Sequence, residues 1–528
     1  MAEWVKKFPE EEGIPSLLLV NMMNRWEKEL CHVDGYLILR NGNLVAEAYR
    51  NPYTRDGRRL LHSVSKTVTA VAVGMAVDEG MISVKDKVLS FFPDYRPQPQ
   101  SAAFLEELTV EHLLTMAVGH ANDSIDSIFS KDAPAWKSFL DRNISDRPGT
   151  KFVYNSGATY MLSKIMTVVT GKTLLEYLKP RLFDPLEITD ADWDEIDGAN
   201  AGGWGCFLSL QDMAKIGQLL LQNGKWNGKQ LVSEKWISEM TSWKIDTEEA
   251  NVYPDWRRGY CYQMWRCSRE GCFRADGAFG QYILVLPPKN MVVAIWSEDA
   301  FSQDMLNIFW EEVYDRVDDR VYGIDGNAHE IYRKKCIEWS MMPKMLPSYS
   351  YQEKLVNGKK YEAFSQEESI ADSMSFSFSD FGQMRICLEK DGTVSEILAD
   401  NTGLHYGEGK MNFEIASFIR FGKKRTENMK YAASYQWISD HALKICVNWL
   451  ETAHATNINC VFGPGSVSAV FSVSYGKYLI GTESSPALLI SDQWFSGKMH
   501  QENEKENIGQ KPGNDFQAYP GMMVRGCE

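Results

Sequence analysis

The sequence predicts an α+β domain, an antiparallel sheet with a helical subdomain inserted between its strands, followed by an all-β barrel or sandwich. Three observations predict it. Strand pattern occurs near residue 40 and returns only between residues 258 and 297, and nearly everything between reads as helix and loop. Beyond about residue 345 the period changes to alternation broken by frequent turns. The 528-residue chain also exceeds the roughly 250–300 residues at which one core stops growing.

Taken in order, "PSLLLVNMMNRWEKELCH" has the apolar spacing of a helix. "GYLILRNGNLVAEAY" is two β-rich runs around Asn41-Gly42, a hairpin signal because that dipeptide accepts positive φ. "LLHSVSKTVTAVAVGMAVDEG" predicts a helix ending near Gly80. The stretches "TVEHLLTMAVG", "GATYMLSKIMTVVTGKTLLEYL" and "LQDMAKIGQLLLQNG" continue the helical region. "RGYCYQMWRC", "GQYILVLP" and "MVVAIWS" are three candidate strands, and "DMLNIFWEEVYDRV" is a helix after them. Residues 1–325 are thereby assigned to the first domain and 326–345 to a connector. A β domain follows over 346–498, built on "SMSFSFSD", "QMRICLEKDGTVSEIL", "MNFEIASFIRF", "YAASYQWIS", "ALKICVNWLETA" and "SAVFSVSYGKYLIG". Residues 499–528 form a polar tail.

Composition excludes several functions. A net charge of −15 repels phosphate backbones, and no basic stripe carries interleaved aromatics, so nucleic acid is not an expected partner. The longest apolar run, Val68 to Val77, is too short to span a bilayer. The start "MAEWVKKFPEEEGIPS" lacks a secretory pattern, so a cytoplasmic location away from membranes is expected. Ten cysteines in so long a chain are no disulfide framework, and Cys267 and Cys272 read as buried thiols. Nine histidines, among them His62, His112 and His120, show no ligand spacing, so neither metal nor cofactor is expected.

The chemistry concentrates at Ser63 and Lys66, three apart and therefore on one helix face. A serine needs a base to act as a nucleophile, and a lysine desolvated at the positive end of a helix favours its neutral form and can be that base. The spacing alone is unspecific: Ser63 could be a cap, and Ser474 and Lys477 repeat S-x-x-K in a strand-like run.

Context supplies the specificity. "LHSVSKTVTAVAVGMAVDEGMISVKDKV", "LTVEHLLTMAVGH", "PGTKFVYNSGATYMLSKIM" and "ADGAFGQYILVLP" occur in that order within about residues 10–315. Together they resemble the serine β-lactamase and penicillin-binding-protein superfamily, in its class C-like branch of esterases, DD-peptidases and 6-aminohexanoate-dimer-hydrolase-like amide hydrolases. The resemblance implies a β-lactamase/transpeptidase-like first domain and leaves the β domain outside it. It implies Ser63 as acylated nucleophile, Lys66 as its proton partner, and Tyr154 sharing general-base work and activating the deacylating water. The implied oxyanion hole is the backbone N–H of Ser63 and of Ala278, with Gly277 letting substrate approach the strand.

Two departures narrow the substrate. The family's Tyr-x-Asn is Tyr154-Asn155-Ser156 here, which puts a hydroxyl where an amide usually holds substrate. The third motif, usually opened by Lys or His, reads Ala275-Asp276-Gly277, so the cation that grips a β-lactam or peptide carboxylate is missing. Arg274 would point to the opposite face of the strand from Ala275. Trp204, Tyr260, Tyr262 and Trp265 are candidates for an apolar acyl pocket, with core packing the competing reading. The expected function is a serine hydrolase of small amides or esters acting through an acyl-enzyme on Ser63. The alternatives are a β-lactamase or DD-peptidase, and a catalytically impaired ligand-binding protein of the same fold. The β domain is expected to cap the cleft or to pair chains into a homo-oligomer.

Overall fold

The computed structural model describes residues 4–98, 102–129, 133–299, 302–342, 344–365, 369–409, 429–474 and 493–499. Its first sheet has six antiparallel strands in the order Trp265–Arg266, Phe273–Gly277, Gln281–Leu286, Met291–Ser297, Val33–Arg40, Asn43–Tyr49. The Asn41-Gly42 turn has φ of 51° and 79°, as a two-residue hairpin of matching twist requires. Alternation along these strands sorts the side chains into two cores. Leu37, Leu39, Ile283, Val285 and Val292 face the inserted helices. Tyr36, Ile38, Tyr282, Leu284 and Val293 face a layer that includes the helices Ser16–Lys28 and Ser302–Glu312.

The helix Ser65–Asp78 runs through the first core with every residue from Ser65 to Ala76 buried. An apolar surface all round suits only such a position. Gly74 is required there, because a Cβ would lie 2.0 Å from the Trp236 indole. The helices Val110–Leu114 and Leu210–Leu221 fall within the stretches read as helical, and Ser156–Thr170 starts one residue before its stretch.

Three sequence readings change. In "RGYCYQMWRC" only Trp265–Arg266 is strand, because Gly259 and Gln263 at φ of 95° and 59° turn the chain between the aromatic residues. The stretch 326–345, read as a connector, is for most of its length the helix Gly326–Ser340. Its sparse stripe of Ala328, Tyr332 and Trp339 is buried, with Trp339 stacked 6.4 Å from Trp26. The strands Lys360–Ala363, His405–Gly409, His454–Gly463 and Gln493–Met499 carry too much polar or glycine content to have stood out.

Among the described residues, nine strands of the C-terminal region close into a β-barrel. Eight pairings are antiparallel, and a parallel bridge from Asp400 to Ser434 completes the ring. Tyr361, Phe376, Trp437, Trp449 and Phe462 are buried in the barrel's apolar core. The proposed strand "MNFEIASFIRF", Lys477 and the tail beyond Met499 lie outside the described residues. Among the described residues no helix is long and apolar enough to cross a membrane.

Candidate active site

Ser63 lies in the 3-10 turn His62–Val64 that leads directly into the helix Ser65–Asp78. Lys66 is one turn on and only 1% exposed. Its Nζ is 2.9 Å from Ser63 Oγ, 2.7 Å from the Gly203 carbonyl and 3.3 Å from Ser156 Oγ. Burial pulls the Lys66 pKa from 10.5 down to about 7, against the opposing pull of Asp123 and Asp276. A substantial fraction of Lys66 is therefore a neutral amine at neutral pH.

The partners decide where the lone pair of that amine points. The Gly203 carbonyl can only accept. Ser156 Oγ donates its own hydrogen to Asp123 Oδ2 at 3.0 Å, so it too accepts from Lys66. Two N–H groups are thus used, and the lone pair is left for the Ser63 hydroxyl.

Asp123 is anchored in turn by the backbone N–H of Ser156 at 2.7 Å and of Ile125 at 3.1 Å. Burial raises its pKa and the Lys66 charge opposes that rise. Asn155 is not available to substrate. Its Oδ1 accepts from Ala158 N at 3.1 Å as the cap of helix Ser156–Thr170, and from Ser124 Oγ at 2.6 Å. Asn155 builds the corner, and Ser156 enters the site.

Tyr154 stacks on Trp265 with ring centroids 5.8 Å apart and meets Tyr260 edge-on at 6.4 Å. Lys66 Nζ lies 4.9 Å from the Tyr154 ring centroid. Burial pushes the phenol pKa well up, and a hydrogen bond with Ser63 offsets part of the rise, so Tyr154 keeps its proton at neutral pH. Tyr260, Tyr262 and Trp265 are all buried, and Trp265 and Tyr260 form a wall behind Tyr154. Trp204 is likewise buried, beside Phe129 at 5.6 Å.

On the strand Phe273–Gly277, Ala275 is buried and offers no charge. Arg274 is fully buried and committed elsewhere. It pairs with Asp276 Oδ2 at 2.9 Å, donates to the carbonyls of Asp255 and Arg266, and lies 4.6 Å over the Trp256 ring. Burial raises Asp276 to about 6 despite Arg274. Gly277 serves the protein's own packing: a Cβ would sit 2.4 Å from the Leu61 carbonyl oxygen. That contact brings the end of this strand, and Ala278 after it, against the nucleophile turn.

A profile of the family described as Beta-lactamase matches residues 2–310. The chain belongs to the Beta-lactamase family. It is similar to the 6-aminohexanoate-dimer hydrolase of Paenarthrobacter ureafaciens, 28% identical over 294 residues, 50% of this chain and 72% of that one. It also matches the lovastatin esterase of Penicillium rubens, 22% identical over 197 residues, 33% of this chain and 49% of the relative. Among solved structures, the octameric penicillin-binding protein homologue of Pyrococcus abyssi aligns with a TM-score of 0.46 and 16% identity, over 86% of this chain and 97% of that one. This Beta-lactamase family member is a serine hydrolase.

Of the residues singled out in the sequence, Ser63, Lys66, Tyr154 and Ser156 meet at the nucleophile turn, Gly277 packs against Leu61 and Val64 with Ala278 following it, and Asp276, paired with Arg274, acts on Lys66 electrostatically. Asn155, Ala275 and Trp204 are buried in supporting positions. Two participants escaped the sequence: Asp123, in the loop "HANDS", and the Gly203 carbonyl. Neither carries a local pattern, since a backbone oxygen has no residue code and Asp123 is brought to Ser156 only by the fold. Cys267 and Cys272 are free, buried thiols. Among the described residues no His/Cys/Asp/Glu group is arranged to hold a metal ion.

Proposed function

We propose that this enzyme hydrolyses small amides or esters through an acyl-enzyme on Ser63. The observation that carries the reading is the buried Lys66 amine, held near neutrality and 2.9 Å from Ser63 Oγ. In the proposed cycle, Lys66 takes the Ser63 proton as Oγ attacks the carbonyl carbon. The oxyanion accepts hydrogen bonds from the backbone N–H of Ser63 and Ala278. As the C–N or C–O bond breaks, the leaving group receives a proton from Tyr154, whose hydroxyl is refilled by Lys66. Water then attacks the acyl-enzyme, its proton returns by the same route, and Ser63 regains its hydrogen.

Charge supports the substrate class. Two carboxylates, Asp123 and Asp276, act electrostatically on Lys66, and Arg274 is tied to Asp276. No cation stands at position 275 to hold a carboxylate. Neutral or cationic substrates therefore suit the site better than β-lactams or peptides with a C-terminal carboxylate. Relatives named 6-aminohexanoate-dimer hydrolase and lovastatin esterase support an amide or an ester as the bond cleaved.

The test is intact mass after treatment with a fluorophosphonate. One adduct is expected on the wild-type chain, none on Ser63→Ala, and slower labelling on Lys66→Ala and Tyr154→Phe. Undiminished labelling of Ser63→Ala overturns the reading, and rapid turnover of nitrocefin overturns the substrate class.

A further inference from the structure

The C-terminal barrel touches the first domain at a chemically sensitive place. The turn 450–453 joins its strands Ala442–Trp449 and His454–Gly463. Three successive contacts tie this turn to the chain entering the nucleophile. Arg58 Nε donates to Glu451 Oε1 at 2.9 Å, and Leu60 N donates to the Glu451 carbonyl at 2.8 Å. Beyond them, the buried His454 ring faces His62 at 6.0 Å and meets Phe279 edge-on at 4.6 Å, with His62 and Phe279 themselves 5.4 Å apart.

His62 and Phe279 are not ordinary packing residues. Their φ values are 48° and 63°, in the left-handed region that costs a side chain of this size on the order of 1–3 kcal/mol. Such conformations persist only where surroundings hold them. His62 precedes Ser63, and the Ser63 N–H belongs to the peptide plane that follows His62. Phe279 follows Ala278. The two N–H groups of the proposed oxyanion hole are therefore each next to a strained residue, and one barrel side chain touches both.

We infer that His454 is a positioning residue for the oxyanion hole, holding the nucleophile turn and the Ala278 segment in register, so that the active site is incomplete without the barrel. The inference rests on the function proposed above. Burial pulls the His454 imidazole down to about 3, so the contact is between neutral rings and a phenyl ring can reproduce it. The turn is itself braced, with His454 N donating to Thr452 Oγ1 at 3.1 Å and Trp449 Nε1 to Thr456 Oγ1 at 2.9 Å.

The experiment uses the full chain and saturating fluorophosphonate kinetics, which separate reversible binding from the labelling step. Losing one oxyanion donor outright costs about 10²–10³ in rate, so a displaced donor is expected to cost about tenfold. His454→Leu should lower the labelling step about tenfold with reversible binding changed less than twofold. His454→Phe should restore it to within about threefold. A folded His454→Leu that labels at the wild-type rate overturns the inference, as does an equal loss in both variants. Should His454→Leu fail to fold, Glu451→Gln, which weakens the Arg58 ion pair to the barrel and spares the rings and the Arg58 pairs with Asp190 and Asp192, should slow labelling about threefold, and an unchanged rate there overturns it. Absence of labelling in wild type removes the function proposal instead, which keeps the two failures distinct.

Discussion

Replacing Lys66 by methionine removes a charge and keeps most of the volume, and it should make the protein more stable while abolishing activity. In the unfolded chain Lys66 titrates near 10.5, and in the fold burial brings it to about 7. Each pH unit of that gap corresponds to ~1.4 kcal/mol, so below pH 7 the protonated lysine costs the fold about 5 kcal/mol. Methionine leaves the Gly203 carbonyl without its 2.7 Å partner, a loss of about 1–3 kcal/mol. At pH 6 the variant should therefore exceed wild type by about 2–4 kcal/mol. Between pH 7 and 10.5 the unfolded wild-type chain binds the proton and the folded one does not, so wild-type stability rises through this window relative to the variant. The gain closes at ~1.4 kcal/mol per pH unit and changes sign as the lysine cost vanishes. Urea unfolding of both proteins at a series of pH values, followed by circular dichroism, measures the difference. A difference that is flat from pH 7 to 10, or a variant less stable at pH 6, refutes the argument that Lys66 is a desolvated amine.

The same ionisation should appear in kinetics: kcat/KM for an ester rises as pH passes about 7, where Lys66 becomes neutral. Asp123→Asn removes a charge that favours the ammonium form, so this limb should move about 0.5–1 unit to lower pH. Gly277→Ala puts a methyl group 2.4 Å from the Leu61 oxygen, and the strand must withdraw from the nucleophile turn. An activity loss of about 10²-fold is expected, read as kcat on an ester at unchanged secondary structure. Asn155→Ala deletes the cap of helix Ser156–Thr170 and the Ser124 bonds, and chemical denaturation should show a loss of about 2–4 kcal/mol.

The hairpin at Asn41-Gly42, the helices through residue 221 and the alternation of the barrel strands were legible because each depends on neighbours in sequence. Ser63 and Lys66 were legible as a pair for the same reason: three residues on a helix put them on one face. The helix within the 326–345 connector was not legible because its buried stripe is only a few residues wide. The division of labour between Asn155 and Ser156 was not legible, since either can cap a helix and only the positions of Asp123 and Ser124 decide that Asn155 does so while Ser156 faces Lys66.

By itself the sequence determined the early hairpin, the strongly periodic helices, the alternating barrel strands and which reactive groups share a face, because those follow from backbone period and turn chemistry over a few residues. The tertiary structure alone decided that Lys66 is dry, that its two N–H groups are spent on Gly203 and Ser156, that Arg274 is locked to Asp276, and that His454 of the barrel reaches both strained residues beside the oxyanion hole. Desolvation and the count of donors against acceptors depend on atoms brought together from segments 90 to nearly 400 residues apart. No local pattern encodes them.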